Sequence, residues 1–246
     1  MEKMWNITQK AEGILELYIY GEVKGDGFNW WTEEVIKSET SANHFKEELA
    51  KYPNITEIRI FIHSCGGSVF EGTAIYNQLR RHTARKVVTV DGFACSIASV
   101  IAMAGDEVIM PRNALMMVHN MAMGIYGNPA ELRKAADDLD VINASGRNAY
   151  LAKAGDKLEE SKLRDMMDKE TWLTAEQCIE LGLADRYADA DADMSNAAEV
   201  VQRANLSVAQ RIEIQRSLVS QLNQMVQGKE TPAEPDNPIL RFFERS

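Results

Sequence analysis

The stretch from residue 55 to 92 sets the tightest limit on what this chain can fold into. "ITEIRIFIH" (55–63) and "KVVTVDG" (86–92) are dense in β-branched and aromatic residues, as strands are. Between them, "VFEGTAIYNQLRRHT" repeats Val69, Ala74, Ile75 and Leu79 at helical spacing. Strand, helix and strand in that order predict a right-handed crossover within a parallel sheet. "LELYIYGEV" (15–23) adds a further strand, and the short runs "EVIM" and "ALMMVHN" flank the turn "PRN". The fold class expected is α/β.

Beyond the crossover, "GFACSIASVIAMAG" (92–105) is small and apolar, the composition of a buried helix, yet it carries Ser96 near its start. A long helix is expected from about residue 129 to 154. Pro129 suits its first turn, Leu132, Ala136, Leu139 and Ile142 form its apolar stripe, and Gly155 stops it. "TAEQCIELG" reads as a capped helix, with Thr174 and Gln177 at capping-box spacing. After about residue 190 the chain turns polar and acidic. A separate helical pattern and a proline-containing end follow, so we expect a globular domain over 1–192 and a helical extension with a flexible tail over 193–246.

The 246 residues are 45% hydrophobic and 26% charged, enough for one core with an appendage. A net charge of -10 argues against binding to nucleic acid or to an anionic membrane surface. The longest apolar run is too short to span a bilayer, and the first residues lack the apolar core of a signal peptide. Cys65, Cys95 and Cys178 show no CxxC spacing, so neither a metal site nor a disulfide framework is expected. The expectation is a cytoplasmic protein without cofactor or metal.

Three features point to chemistry. A serine at a helix start is by itself most often a cap. The pair Gly66–Gly67, directly after a strand, is of a kind that turns backbone N–H groups toward a developing negative charge. His119 sits in an apolar strand, as either a core histidine or a base. Together, serine, diglycine turn and histidine favour an acyl-transfer site. There is no GxSxG elbow, so an α/β-hydrolase is not indicated.

"SCGGSVFEGTAIYNQLR", "DGFACSIASVIAMAG", "MMVHN" and "TWLTAEQCIELGLAD" resemble, in order, successive blocks of the ClpP peptidase family over roughly residues 13–188. The nearest likeness is to the ClpP-like head maturation proteases of phages and prophages. The resemblance implies a ClpP/crotonase-like spiral of parallel strands and helices with a long handle helix. It implies stacked heptameric rings that enclose their active sites. It assigns Ser96 as nucleophile and His119 as general base, with the N–H groups of Gly67 and Ile97 as the oxyanion hole. The helix dipole behind Ser96 is expected to favour the developing charge, and loss of one oxyanion donor typically costs about 3 kcal/mol.

The family's acid lies two residues before the aromatic–leucine pair, here Trp172–Leu173, which points to Glu170. Asp168 stays open, since it shares a face with Glu170 if that segment is extended. The sequence departs from the family at Cys65, where proline is usual, at His63, where asparagine is usual, and at Cys95, where alanine is usual. His63 is a rival base, and Cys95 is expected to be packed away beside Ser96.

The function expected is a serine endopeptidase acting on polypeptides inside a homo-oligomeric ring. No GxxxxGK run followed by Ser or Thr is present, so any ATP-driven unfolding must come from a Clp ATPase partner. A capsid-maturing enzyme would instead meet phage capsid or scaffold proteins. Two alternatives stay open at this point: a crotonase-type acyl-CoA enzyme, which needs no Ser–His pair, and a catalytically idle ring or scaffold subunit.

Overall fold

A computed structural model describes residues 5–189. The boundary at 192 and the extension over 193–246 lie outside the described residues. An antiparallel hairpin opens the fold, β1 (Trp5–Ala11) against β2 (Ile14–Val23). A small exposed hairpin follows, β3 (Gly27–Asn29) and β4 (Glu34–Ile36), and then helix α1 (Ala42–Leu49), which Ser41 caps. The expected crossover is present as β5 (Glu57–Gly67), α2 (Val69–Arg81) and β6 (Arg85–Cys95). Helix α3 (Ile97–Ala102) leads to β7 (Glu107–Met110) and β8 (Leu115–Val118). The long α4 (Pro129–Ala154), α5 (Glu160–Asp168), β9 (Thr171–Thr174), α6 (Ala175–Glu180) and β10 (Arg186–Tyr187) complete the order.

The main sheet runs β1-β2-β5-β6-β7-β10, and only its first pair is antiparallel. Alternation along the central strands puts Leu15, Leu17 and Ile19, Ile58, Ile60 and Ile62, and Val88 and Val90 into one core, all fully buried. β6 is long enough to take two partners on one side. Its first half pairs with β7 through Val87–Thr89, and its second half pairs with β8 through Phe93–Cys95. β9 then adds antiparallel to β8. This fork places a second set of strand ends beside the main sheet.

Two expectations change. Residues 92–95 continue β6 instead of opening a helix, so the apolar run splits into a strand end and a six-residue helix buried at every position. The reason is the ladder: Phe93, Ala94 and Cys95 pair with Leu115, Met116 and Met117. On α4 the bounds match the expectation, and Asn128 caps the helix in a capping box with Glu131. Leu132 and Ala136 of the expected stripe, however, are exposed, because the first half of α4 has little of this chain beneath it. The buried face is Ala135, Asn143, Arg147, Ala149, Tyr150 and Ala154.

Gly72 explains how α2 and α3 pack so closely. A Cβ at Gly72 would lie 2.2 Å from Ile97 Cγ1. The absence of a side chain on α2 is therefore what lets Ile97, at the first turn of α3, be fully buried.

Candidate active site

The parallel strands β5, β6 and β8 end on the same side of the sheet, and the residues singled out in the sequence follow those ends. Carboxyl ends of parallel strands are where such sheets bind ligands. β5 ends in Gly66–Gly67, Ser96 follows β6, and His119 follows β8. The Ser96 N–H donates to the Met117 carbonyl at 2.9 Å, which locks the serine to the strand that carries His119.

Ser96 Oγ lies 2.6 Å from His119 Nε2. Ser96 occupies the N-cap position of α3, yet its side chain accepts no helix N–H. The capping role is thus not the one its hydroxyl plays. Its backbone has φ 56° and ψ -131°, a conformation a non-glycine residue rarely adopts and which costs of order 1–3 kcal/mol. Ser96 is half-buried, while His119 is buried.

The diglycine turn is built tightly around this serine. Gly66 has φ 94°, and a Cβ there would lie 2.7 Å from Ser96 Cβ and 3.2 Å from the Ile97 nitrogen. Gly67 has φ 144°, and its Cβ would lie 2.2 Å from the Val23 carbonyl oxygen. Both positions therefore exclude any side chain, which a plain strand-to-helix turn does not demand. Ser64 supports the turn from below, accepting from the Gly66 N–H at 3.0 Å and donating to the Gly21 carbonyl. Because α3 has only six residues, the dipole expected behind Ser96 is a small contribution beside oriented N–H groups.

Several supports were not visible in the sequence. Ser99 Oγ reaches the Ser96 carbonyl at 2.6 Å and the Tyr150 hydroxyl at 2.7 Å. Asn143 of α4, also buried, accepts from the Met121 N–H at 2.7 Å and pins the segment after His119. These pairings are 51 and 22 residues apart, so no local pattern announces them.

The two carboxylates are placed differently. The segment 168–170 is not extended, so the premise that set Asp168 and Glu170 on one face does not hold. Asp168 closes α5, and Lys169 has φ -92° and ψ 3°. Asp168 Oδ1 accepts from Asn120 Nδ2 at 2.7 Å. Glu170 is exposed, with φ 49°. The β8–β9 ladder ends at Val118 opposite Thr171, and His119 and Glu170 are the next residue on each strand, beyond the pairing.

His63 and Cys95, the other sequence candidates, are held by packing. His63 lies against Tyr20 and Phe93, each with ring centroids 5.7 Å away, and burial holds its pKa below the ordinary histidine value. Cys95 is fully buried, and burial pushes its thiol well above the usual range, as expected for a packed neighbour of Ser96. Beside the site an open cleft of about 670 Å³ runs between α2 and α4, lined by Val69, Ala74, Val100, Met121, Ile142 and Ala149 among others. No cluster of metal-ligating residues occurs among the described residues, and none of their helices is long and apolar enough to cross a membrane.

Comparison with known proteins accords with this geometry. The profile of the family described as Clp protease matches residues 33–191. The chain is 32% identical over 167 residues to ATP-dependent Clp protease proteolytic subunit 3 of Streptomyces coelicolor, covering 65% of this chain and 75% of that protein. It is 31% identical over 166 residues to proteolytic subunit 1 of Streptomyces avermitilis, with the same coverage of 65% and 75%. To the proteolytic subunit of Deinococcus radiodurans it is 32% identical over 136 residues, 54% of this chain and 65% of that one.

Proposed function

The chain belongs to the Clp protease family of serine endopeptidases, and from that premise we propose that it cleaves polypeptides through Ser96, His119 and Glu170. The observation that carries this reading is the 2.6 Å contact between Ser96 Oγ and His119 Nε2. His119 takes the serine proton as Oγ attacks the peptide carbonyl. The N–H groups of Gly67 and Ile97 donate to the oxyanion, and Glu170 holds the imidazolium that forms. His119 then returns the proton to the leaving amine, and water releases the acyl-enzyme by the same steps in reverse order. A crotonase-type reaction would leave the Ser–His contact without a task, and family membership favours the peptidase over an idle ring subunit.

The substrate is an extended polypeptide in this reading. The segment 122–128 after His119 is exposed and forms no helix or strand, with Met123, Ile125 and Tyr126 outward, so a peptide can lie along it. An apolar side chain of that peptide fills the cleft between α2 and α4. The chain assembles as stacked heptameric rings in the cytoplasm, with the outer half of α4 between rings. Its partners are a Clp ATPase or, for a prophage head maturation protease, capsid and scaffold proteins.

A fluorophosphonate probe followed by peptide mapping tests the nucleophile: it should label Ser96, and Ser96→Ala should lose both labelling and peptide hydrolysis while keeping its oligomer mass. Turnover surviving in Ser96→Ala would refute the assignment. Mass photometry together with digestion of casein and of capsid protein separates the general peptidase from the head maturation enzyme.

A further inference from the structure

We propose that Cys65 and Cys95 form a redox modification site, an intrachain disulfide made under peroxide that ties the diglycine turn to the strand carrying Ser96. The last paired residues of the parallel β5–β6 ladder are Ser64 and Ala94. The register slips between Ile62 and this pair, and the next residue on each strand is Cys65 and Cys95; alternation turns their side chains to the opposite face from Ser64 and Ala94. On that face Phe93, Cys95 and Met117 form a small apolar cluster, and Cys65 packs against it with Leu115 and Trp172. Adjacent strands lie about 4.8 Å apart, inside the roughly 4.4–6.8 Å between Cα atoms that a disulfide bridges.

The two thiols differ in access in the way such a reaction needs. The structure holds both without a disulfide; Cys65 is half-buried and Cys95 fully buried. Peroxide therefore meets Cys65 first. The Cys65 thiolate attacks one oxygen of hydrogen peroxide, giving a sulfenic acid and hydroxide, which takes up the proton the thiol released. The Cys95 sulfur then attacks the Cys65 sulfur, the S–S bond forms, and the departing hydroxide leaves as water with the Cys95 proton. Two thiols are oxidised and one peroxide is reduced to two waters. The third cysteine, Cys178, is buried in the main core and takes no part.

The bond would be felt at the serine. Cys65 is followed directly by Gly66, and Cys95 directly by Ser96, and these two already touch so closely that a Cβ on Gly66 would lie 2.7 Å from Ser96 Cβ. A disulfide draws its Cβ atoms to about 3.8 Å, closer than neighbouring strands hold them, so the strand ends shift by a fraction of an ångström to an ångström. A displacement of about 1 Å at a reacting group can cost on the order of 10²-fold in rate.

The test treats the full-length protein with hydrogen peroxide, alkylates the remaining thiols and maps peptides without reductant. A Cys65–Cys95 linked peptide, lighter by two hydrogens and abolished by dithiothreitol, is expected. Peptide hydrolysis should fall at least about tenfold and return with dithiothreitol. Cys65→Ala and Cys95→Ala should each keep their activity after peroxide, while Cys178→Ala should stay sensitive. Both thiols remaining alkylatable, or over-oxidised Cys65 with no linked peptide, would overturn the site. A linked peptide with unchanged turnover would overturn its action on Ser96. The activity arm rests on the peptidase reading, whereas the mapping does not, so an inactive untreated protein would count against that reading and leave the disulfide decided by mass.

Discussion

The hydroxyls of Ser99 and Tyr150 lie 2.7 Å apart in the core and join α3 to the long α4. Ser99 has one proton to give, and two carbonyls, those of Ser96 and Met117, within reach of it. Tyr150 is therefore the donor to Ser99. Tyr150→Phe leaves a buried oxygen unmet, which costs about 1–3 kcal/mol. The denaturation midpoint should fall accordingly, and kcat should drop more than KM rises. An unchanged midpoint would show that water or Ser99 rotation replaces the tyrosine.

Gly72→Ala sets two effects against each other. Alanine favours a helix interior by about 1 kcal/mol over glycine, but its Cβ would lie 2.2 Å from Ile97 Cγ1. Overpacking of a dense core costs about 1–3 kcal/mol, so the variant should be less stable on balance. It should also be slower, because Ile97 carries a proposed oxyanion donor. Combining it with Ile97→Ala, which removes the clashing atom, should cost less than the two single changes summed. Additive losses would mean that α2 shifts as a body.

The acid is decided by a pair of amides. Glu170→Gln should cut turnover by orders of magnitude with assembly retained, since loss of the orienting carboxylate in a comparable triad costs about 10⁴ in kcat. Asp168→Asn should be far milder, because Asp168 is engaged with Asn120 at 2.7 Å. Near wild-type rates in both would indicate a Ser–His dyad, and a dead Asp168→Asn alone would reassign the acid.

What could be read from the sequence was what short-range chemistry determines. The bounds of α4 follow from Pro129 and Gly155, and the Thr174–Gln177 capping box forms as its spacing predicts. Ser96, His119 and the glycines were legible as residue types and were brought together by strand ends. Long-range pairing was not legible. β1 is not among the strands the sequence announces and forms against β2, and residues 92–95 read as helix until β8 pairs with them. Ser99, Asn143 and Tyr150 look like ordinary helix residues because their partners lie on other elements. Asp168 and Glu170 do not share a face because the backbone turns at Lys169 instead of running extended.

Stability should depend on pH through His63. Burial lowers its pKa in the folded state, against the attraction of Asp91. A lowered pKa means the unfolded chain binds the proton more readily, so this contribution is present above the unfolded value of about 6.5 and is lost as pH falls toward the folded one. His82, whose pKa is also lowered by burial, adds to the same slope. Melting temperatures of the wild type should fall as pH drops below that value, and His63→Asn should flatten the decline in part. Parallel curves for the two proteins would remove His63 from the account.

Assembly is tested most cleanly at Leu132. Leu139 and Ile142 pack partly on this chain's own core, so a charge there disturbs the fold as well. Leu132 is exposed in the single chain. Leu132→Glu should lower the oligomer mass in mass photometry with an unchanged circular dichroism spectrum. A full-size assembly would move the ring contact elsewhere.

The fork in β6 gives the short connection between β7 and β8 an unusual burden. Ser96 and His119 are spaced by counting residues along one ladder, in which Cys95 faces Met117. Adding one residue to the turn 111–114 and slipping β8 by one place would carry His119 about 3.3 Å along its strand and turn its ring to the other side of the sheet. The exposed β3–β4 hairpin has no such count to keep. The turn at 111–114 works as a ruler, and its length matters to the serine more than the identity of its residues.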